Sequence, residues 1–527
     1  MRLKAFATAV SVISGMYAHC EVWNPDLGDG FYANPIIHAD YSDPDVIRVG
    51  SDYWMVASSF TCIPGIPVLH SKDLVNWEIV NHVYDNLPGS KYDRPAHGEG
   101  SWAPAIRYHD GRYYVYFCTP NDGLFVATAD DPRGEWQLTQ MLEVSKWEDP
   151  CPFWDDDGNA YLVHSIHRGG PAVLHRMSPD GMRLLDNGTV VYHDEEANPI
   201  LEGLKMYKRD GWYYIFAPAG GVEQGWQTVL RSKDIYGPYE ARKVMEQGPT
   251  DINGPHQGGL ADTADGSEWW FVHFQSKGIH GRVVHLQPAN WTDDGWIVIG
   301  EDSDGDGIGN PVARHRKPSA SMGAAAIPQT SDDFANPECS PQWQWQANPR
   351  DDWYSLTANP GYIRLFSYPC PTEKGNLYFA GNLYLQKFPA PEFTVTTLTE
   401  THFSEEGERA GLITMGNRYS YIAIINEADG YRVAVVTGRN DKYAVTPEKK
   451  ASARVDQPRI WLRMKLLPGE KCRYSYSLDG IDYVELGPEC EVSAGTWIGA
   501  KTGIFCSSPN VVKGNGFADF DFFSVSR

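Results

Sequence analysis

Residues 101–119 read SWAPAIRYHDGRYYVYFCT: an apolar run, the pair Asp110-Gly111, then a second run crowded with Tyr, Val and Phe. Two such runs joined by Asp-Gly have the pattern of a β-hairpin. The same order of polar residue, apolar strand, Asp- or Gly-bearing turn and aromatic strand returns four times. It appears in YSDPDVIRVGSDYWMVAS (41–58), EDPCPFWDDDGNAYLVHS (148–165), EGLKMYKRDGWYYIFAPAG (202–220) and PHQGGLADTADGSEWWFVHFQ (255–275). The strand aromatics Tyr53, Tyr113, Tyr161, Tyr213 and Trp270 are 60, 48, 52 and 57 residues apart. That period suits one four-stranded blade per repeat, which predicts a five-bladed β-propeller over residues 24–312.

In a propeller the innermost strand of every blade runs beside the central axis, so matching positions of different repeats converge. Here those positions hold Asp43, Trp102, Asp149, Glu202 and His256. Asp43 precedes Pro44, which biases it toward an extended backbone at a strand entrance, although Asp-Pro is also a common turn opener. Three carboxylates drawn into one place repel each other and raise each other's pKa, an arrangement typical of functional sites.

Composition narrows the partners. With 68 acidic against 45 basic residues the net charge is −23, so a polyanion is repelled and nucleic acid is not an expected partner. Aromatic residues make up 13% of the chain, beside 51 Gly and 36 Pro, as suits an all-β protein with many turns and sugar-stacking surfaces. Residues 1–20, MRLKAFATAVSVISGMYAHC, place Arg2 and Lys4 before a modest apolar run and resemble a secretory signal, which makes the expected location secreted or periplasmic. No later segment is apolar enough to span a membrane as a helix. Nine scattered cysteines lack metal or redox spacing and read mainly as buried thiols, with Cys472 and Cys490 placed to pair across a hairpin.

ADYSDPDVIRVG, EDPCPFW and LEGLKMYKRDGWYYIF resemble the three acidic motifs of glycoside hydrolase family 43, and SSFTCIPGIPVLHSKDLVNW resembles its β-xylosidase and α-L-arabinofuranosidase branches. The resemblance implies an inverting glycosidase with Asp43 as general base, Glu202 as general acid and Asp149 as the carboxylate that tunes and orients the acid. Such hydrolysis needs a protonated carboxyl beside the leaving oxygen and an ionised one that activates water on the opposite face. The resemblance also implies substrate contacts by His256 and Arg282, with His256 alternatively facing an axial ion. Trp102 and Phe60 read either as sugar-facing walls or as core. Asp45 stands where many members have serine, which raises the question of extra charge near the base.

EDSDGDGIGNPV copies the opening of a calcium loop at Asp302, Asp304, Asp306 and Gly307, but its twelfth position is Ala313 and it reads as an acidic turn. No cofactor is expected and no metal ligand is assigned, with a structural calcium near the axis compatible with the family. Residues 313–330 read as a linker. From 331 to 527 alternating strands resemble the concanavalin A-like β-sandwich, or jelly roll, that follows the propeller in family β-xylosidases. There a sandwich loop can offer an aromatic residue to the pocket after a Gly-Ala pair, whereas here Lys501 follows Gly499-Ala500.

The sequence therefore predicts an exo-acting enzyme that removes terminal xylose or arabinofuranose from plant-wall oligosaccharides. A strict α-L-arabinofuranosidase and a non-catalytic carbohydrate-binding protein are the alternatives. Oligomeric state is not legible.

Overall fold

The computed structural model describes residues 22–319, 325–372, 374–441, 446–509 and 513–527. The segment expected to be a secretory signal, with Cys20, lies outside them. The fold is all-β, and its helical pieces among the described residues are three single 3-10 turns.

Five four-stranded antiparallel sheets form the propeller. Their innermost strands are Asp45–Val49, Trp102–His109, Trp147–Trp154, Lys205–Arg209 and His256–Asp262. Local sequence explains the hairpins. His109 pairs with Arg112 and Arg209 with Trp212, across Asp110-Gly111 and Asp210-Gly211, and all four turn residues have positive φ. That backbone matches the right-handed twist of the flanking strands. Central strands such as Gly65–Ser71 and Gly123–Ala129 are buried along their whole length, because blades pack on both faces.

The ring closes at its two ends. Phe31–Ala33 pairs antiparallel with Arg314–Arg316, and Tyr32 and Ile37 pack with Trp270 and Val284 of the fifth blade and with Val46 and Met55 of the first. The predicted linker is thus partly a strand, since Arg314–Arg316 satisfies backbone groups that Phe31–Ala33 would otherwise leave open.

Residues from 331 onward form two packed sheets of eight and seven strands around one apolar core that includes Trp343, Ile422, Leu462 and Phe520. The sandwich is pinned to the propeller by backbone. Ile63 and Trp345 exchange N–H···O bonds, and Asn348 donates to Leu87 O (2.9 Å) while accepting from its N–H (2.9 Å). Cys472 and Cys490 are direct cross-strand partners as anticipated, yet they form no disulfide.

Candidate active site

The blade entrances meet at a pocket of about 400 Å3 whose lining includes Asp43, Phe60, Trp102, Asp149, Glu202 and Arg282. Six of the seven residues singled out from sequence therefore share one cavity. The seventh, His256, is fully buried and sits behind it, with Nε2 3.4 Å from Glu202 Oε1; its neighbour Gln257 lines the pocket instead.

Asp43 is not extended as Pro44 suggested. Its φ is +54°, and Asp149, also before a proline, has φ +57°. Such backbone costs free energy and persists only where surrounding bonds hold it. They do: Ser58 Oγ donates to Asp43 Oδ2 (2.6 Å) and Arg282 Nη1 to Oδ1 (2.5 Å). The left-handed turn aims both carboxyls at the axis. Asp149 Oδ2 accepts from the Gly203 N–H (2.5 Å) and from Gln257 Nε2 (3.2 Å), so it grips the backbone next to Glu202. Asp45 adds no charge here: Arg107 Nη1 binds its Oδ2 at 2.6 Å and the Ile106 N–H at 2.9 Å.

Electrostatics separate the carboxyls. Burial pushes Glu202 up to about 8, the charges of Asp149 and Asp43 add to this, and Arg282 opposes it. Asp149 is raised to about 6 by burial, against the pull of Lys205 and the Gly203 N–H. Near neutral pH Glu202 therefore keeps its proton while Asp149 is mostly ionised. Glu148, on the same strand, is raised to about 9 by burial and by Asp149 and Glu202.

These differences give a test. Loss of the Asp149 charge makes ionisation of Glu202 easier, so Asp149→Asn is expected to move the alkaline limb of kcat/KM down by about one pH unit, or about 1.4 kcal/mol. The shift is partial because burial remains. Glu148 is pushed up by burial and does not hold the Gly203 N–H beside the acid, so Glu148→Gln should move the limb much less than Asp149→Asn. Equal shifts in both pH–rate profiles would refute the role given to Asp149.

Sequence reading missed Glu148, His167, Gln257 and Trp497, all at the pocket. Strand alternation sends Glu148 and Asp149 to opposite faces, but a bulge between Glu148 and Cys151 breaks the register and brings both to the axis. His167 Nδ1 lies 2.8 Å from Glu148 Oε2, and its ring tilts against Trp102 at 5.2 Å. Trp497 comes from the sandwich and meets Trp102 edge-on at 6.3 Å. The aromatic sought after the Gly-Ala pair thus stands two residues before it. Lys501 already belongs to strand Lys501–Ser508 and is buried, donating to Gln344 Oε1 at 3.1 Å.

Two acidic groups bring three carboxylates together among the described residues: Glu148, Asp149 and Glu202, and the surface set Asp302, Asp304 and Asp306. Calcium takes six to eight oxygens. The first set offers one oxygen from each of three carboxylates, well short of that number, and lies in the pocket itself, while the buried ring beside Glu202 is His256, a nitrogen donor. These residues do not fit a dedicated calcium cage.

A propeller pocket holding a buried glutamic acid, an arginine-bound aspartate and an aromatic wall fits a glycoside hydrolase. The profile of Glycosyl hydrolases family 43 matches residues 32–297, and that of the beta xylosidase C-terminal concanavalin A-like domain matches 331–526. The chain belongs to glycosyl hydrolases family 43. It is 43% identical to a putative beta-xylosidase of Xylanibacter ruminicola, over 91% of this chain and 86% of that one. It is 30% identical to a non-reducing end alpha-L-arabinofuranosidase of Bacteroides ovatus, over 78% and 79%. Among solved structures, the GH43 BlXynB protein of Bacillus licheniformis superposes with a TM-score of 0.82 at 25% identity, covering 94% of this chain and 99% of that one. No helix among the described residues is long and apolar enough to cross a membrane.

Proposed function

We propose that this enzyme releases terminal β-D-xylosyl or α-L-arabinofuranosyl residues from plant-wall oligosaccharides with inversion of anomeric configuration. The observation that carries the reading is the contrast between two carboxyls of one pocket. Glu202 holds a proton to give to the leaving oxygen, while both oxygens of Asp43 face donors, Arg282 and Ser58, in a setting suited to a carboxylate that activates water. Burial and the Asp149 charge keep the acid protonated, and Asp149 also fixes its backbone. Trp102, with Phe60 at 6.3 Å, offers an apolar wall for a sugar face. The names of the relatives, beta-xylosidase and alpha-L-arabinofuranosidase, support both pentoses as substrates.

Assay of the purified protein on aryl β-D-xyloside and aryl α-L-arabinofuranoside tests the proposal. Turnover of at least one is expected. Activity confined to the arabinofuranoside would narrow the enzyme to that sugar. No turnover of either by folded protein that still binds pentose oligosaccharides would replace the reading with a carbohydrate-binding role.

A further inference from the structure

Asp40 has no part in the chemistry described above, yet it is 4% exposed and joins the two domains at the edge of the pocket. Its Oδ1 accepts from Ser42 Oγ (2.9 Å) and from the Arg282 N–H (2.9 Å). Its Oδ2 accepts from the N–H of Gly499, in the sandwich loop that carries Trp497 (2.9 Å). The Ala500 N–H adds a bond to Ile279 O (2.7 Å). Backbones meet closely here: a Cβ on Gly499 would lie 2.8 Å from Gly281 N, and one on Gly281 would lie 2.5 Å from the Asp40 carboxyl. Trp497 itself has φ +66°, a conformation that a free loop would not keep.

We propose that Asp40 is a positioning residue that clamps the 495–500 loop to the propeller and so holds Trp497 in the wall of the pocket. Its role in turnover rests on the glycosidase reading given above. A carboxylate is required because three donors converge on it and it can accept from all of them. Asparagine in the same place keeps one accepting oxygen. Leaving that oxygen toward Ser42 and Arg282 preserves two bonds and sets the amide N–H2 against the Gly499 N–H, so the loop is the partner that is lost. Arg282 stays in place, since its carbonyl accepts from the Tyr41 N–H (3.1 Å) and its guanidinium holds Asp43. Asp43, Asp149 and Glu202 are untouched, and the effect should fall on substrate binding.

On a disaccharide that the enzyme cleaves, Asp40→Asn is expected to raise KM about tenfold while kcat stays within about twofold of wild type. Trp497→Ala should do the same, and the double variant should be no worse than Trp497→Ala alone, because both changes remove one interaction. Gly499→Ala approaches the clamp from the sandwich side and should reproduce the rise in KM. Hydrogen–deuterium exchange reads the loop without activity: peptides spanning 495–500 should exchange about tenfold faster in Asp40→Asn. Multiplying effects in the double variant, or unchanged exchange in this segment, would overturn the proposal. Faster exchange in a protein that turns over no glycoside would leave the clamp standing and remove the catalytic reading instead.

Discussion

Replacement of Asp43 by alanine is expected to lower kcat by about three orders of magnitude even with an activated aryl leaving group, since general-base assistance is typically worth 10²–10⁴-fold. The site explains why no neighbour can substitute. Asp45, two residues on, is tied to Arg107 and the Ile106 N–H, and Asp149 is occupied by Gly203 and Gln257. Removing Asp43 also leaves the Arg282 guanidinium, 12% exposed, without its carboxylate partner, so a folding control by circular dichroism belongs with the kinetics. Proton NMR of the first-formed sugar should show the inverted anomer in wild type. Near wild-type turnover by folded Asp43→Ala would move the base elsewhere, and a retained anomer would reject the single-displacement mechanism.

The second large effect should appear in Glu202→Gln, and its size should depend on the leaving group. An aryl group of low pKa departs without a proton and should lose little rate. A sugar leaving group needs the proton, and its turnover should fall by about 10²–10⁴-fold. The glutamine fills the same volume beside His256 and Asp149, so packing is preserved and the comparison isolates the proton. A plot of log kcat against leaving-group pKa should therefore be much steeper in the variant than in wild type. Equal losses on both substrates would mean that Glu202 serves binding or structure instead.

Much of this site could be read from the chain because the propeller repeats its geometry. Once the hairpins around Tyr53, Tyr113, Tyr161, Tyr213 and Trp270 are aligned, the residues that open the innermost strands fall at the axis, and Asp43, Trp102, Asp149 and Glu202 follow together. What escaped depends on departures from regularity. Glu148 is brought to the pocket by a bulge, and a two-residue period points it away. The left-handed backbone of Asp43 and Asp149 is sustained by partners up to 239 residues distant, which no local preference for prolyl neighbours can reveal. Trp497 was hidden for another reason. Its loop is oriented by Gly281 and Asp40 of a different domain, so its direction depends on a docking surface that its own segment does not encode.

The pairing of Phe31–Ala33 with Arg314–Arg316 has a consequence for how the protein is made. During synthesis at about 5–20 residues per second, the first strand waits roughly 15–60 s for its partner to be translated. Through that interval its edge is open to any other extended chain. The Asp43–Arg282 pair spans the same seam, so a nascent chain stalled before the fifth blade has neither a sealed ring nor an anchored base. Ribosome-bound chains should therefore show no glycosidase activity until the Arg314–Arg316 strand has been made. The steps most exposed to misassembly come late, after four blades have already been translated.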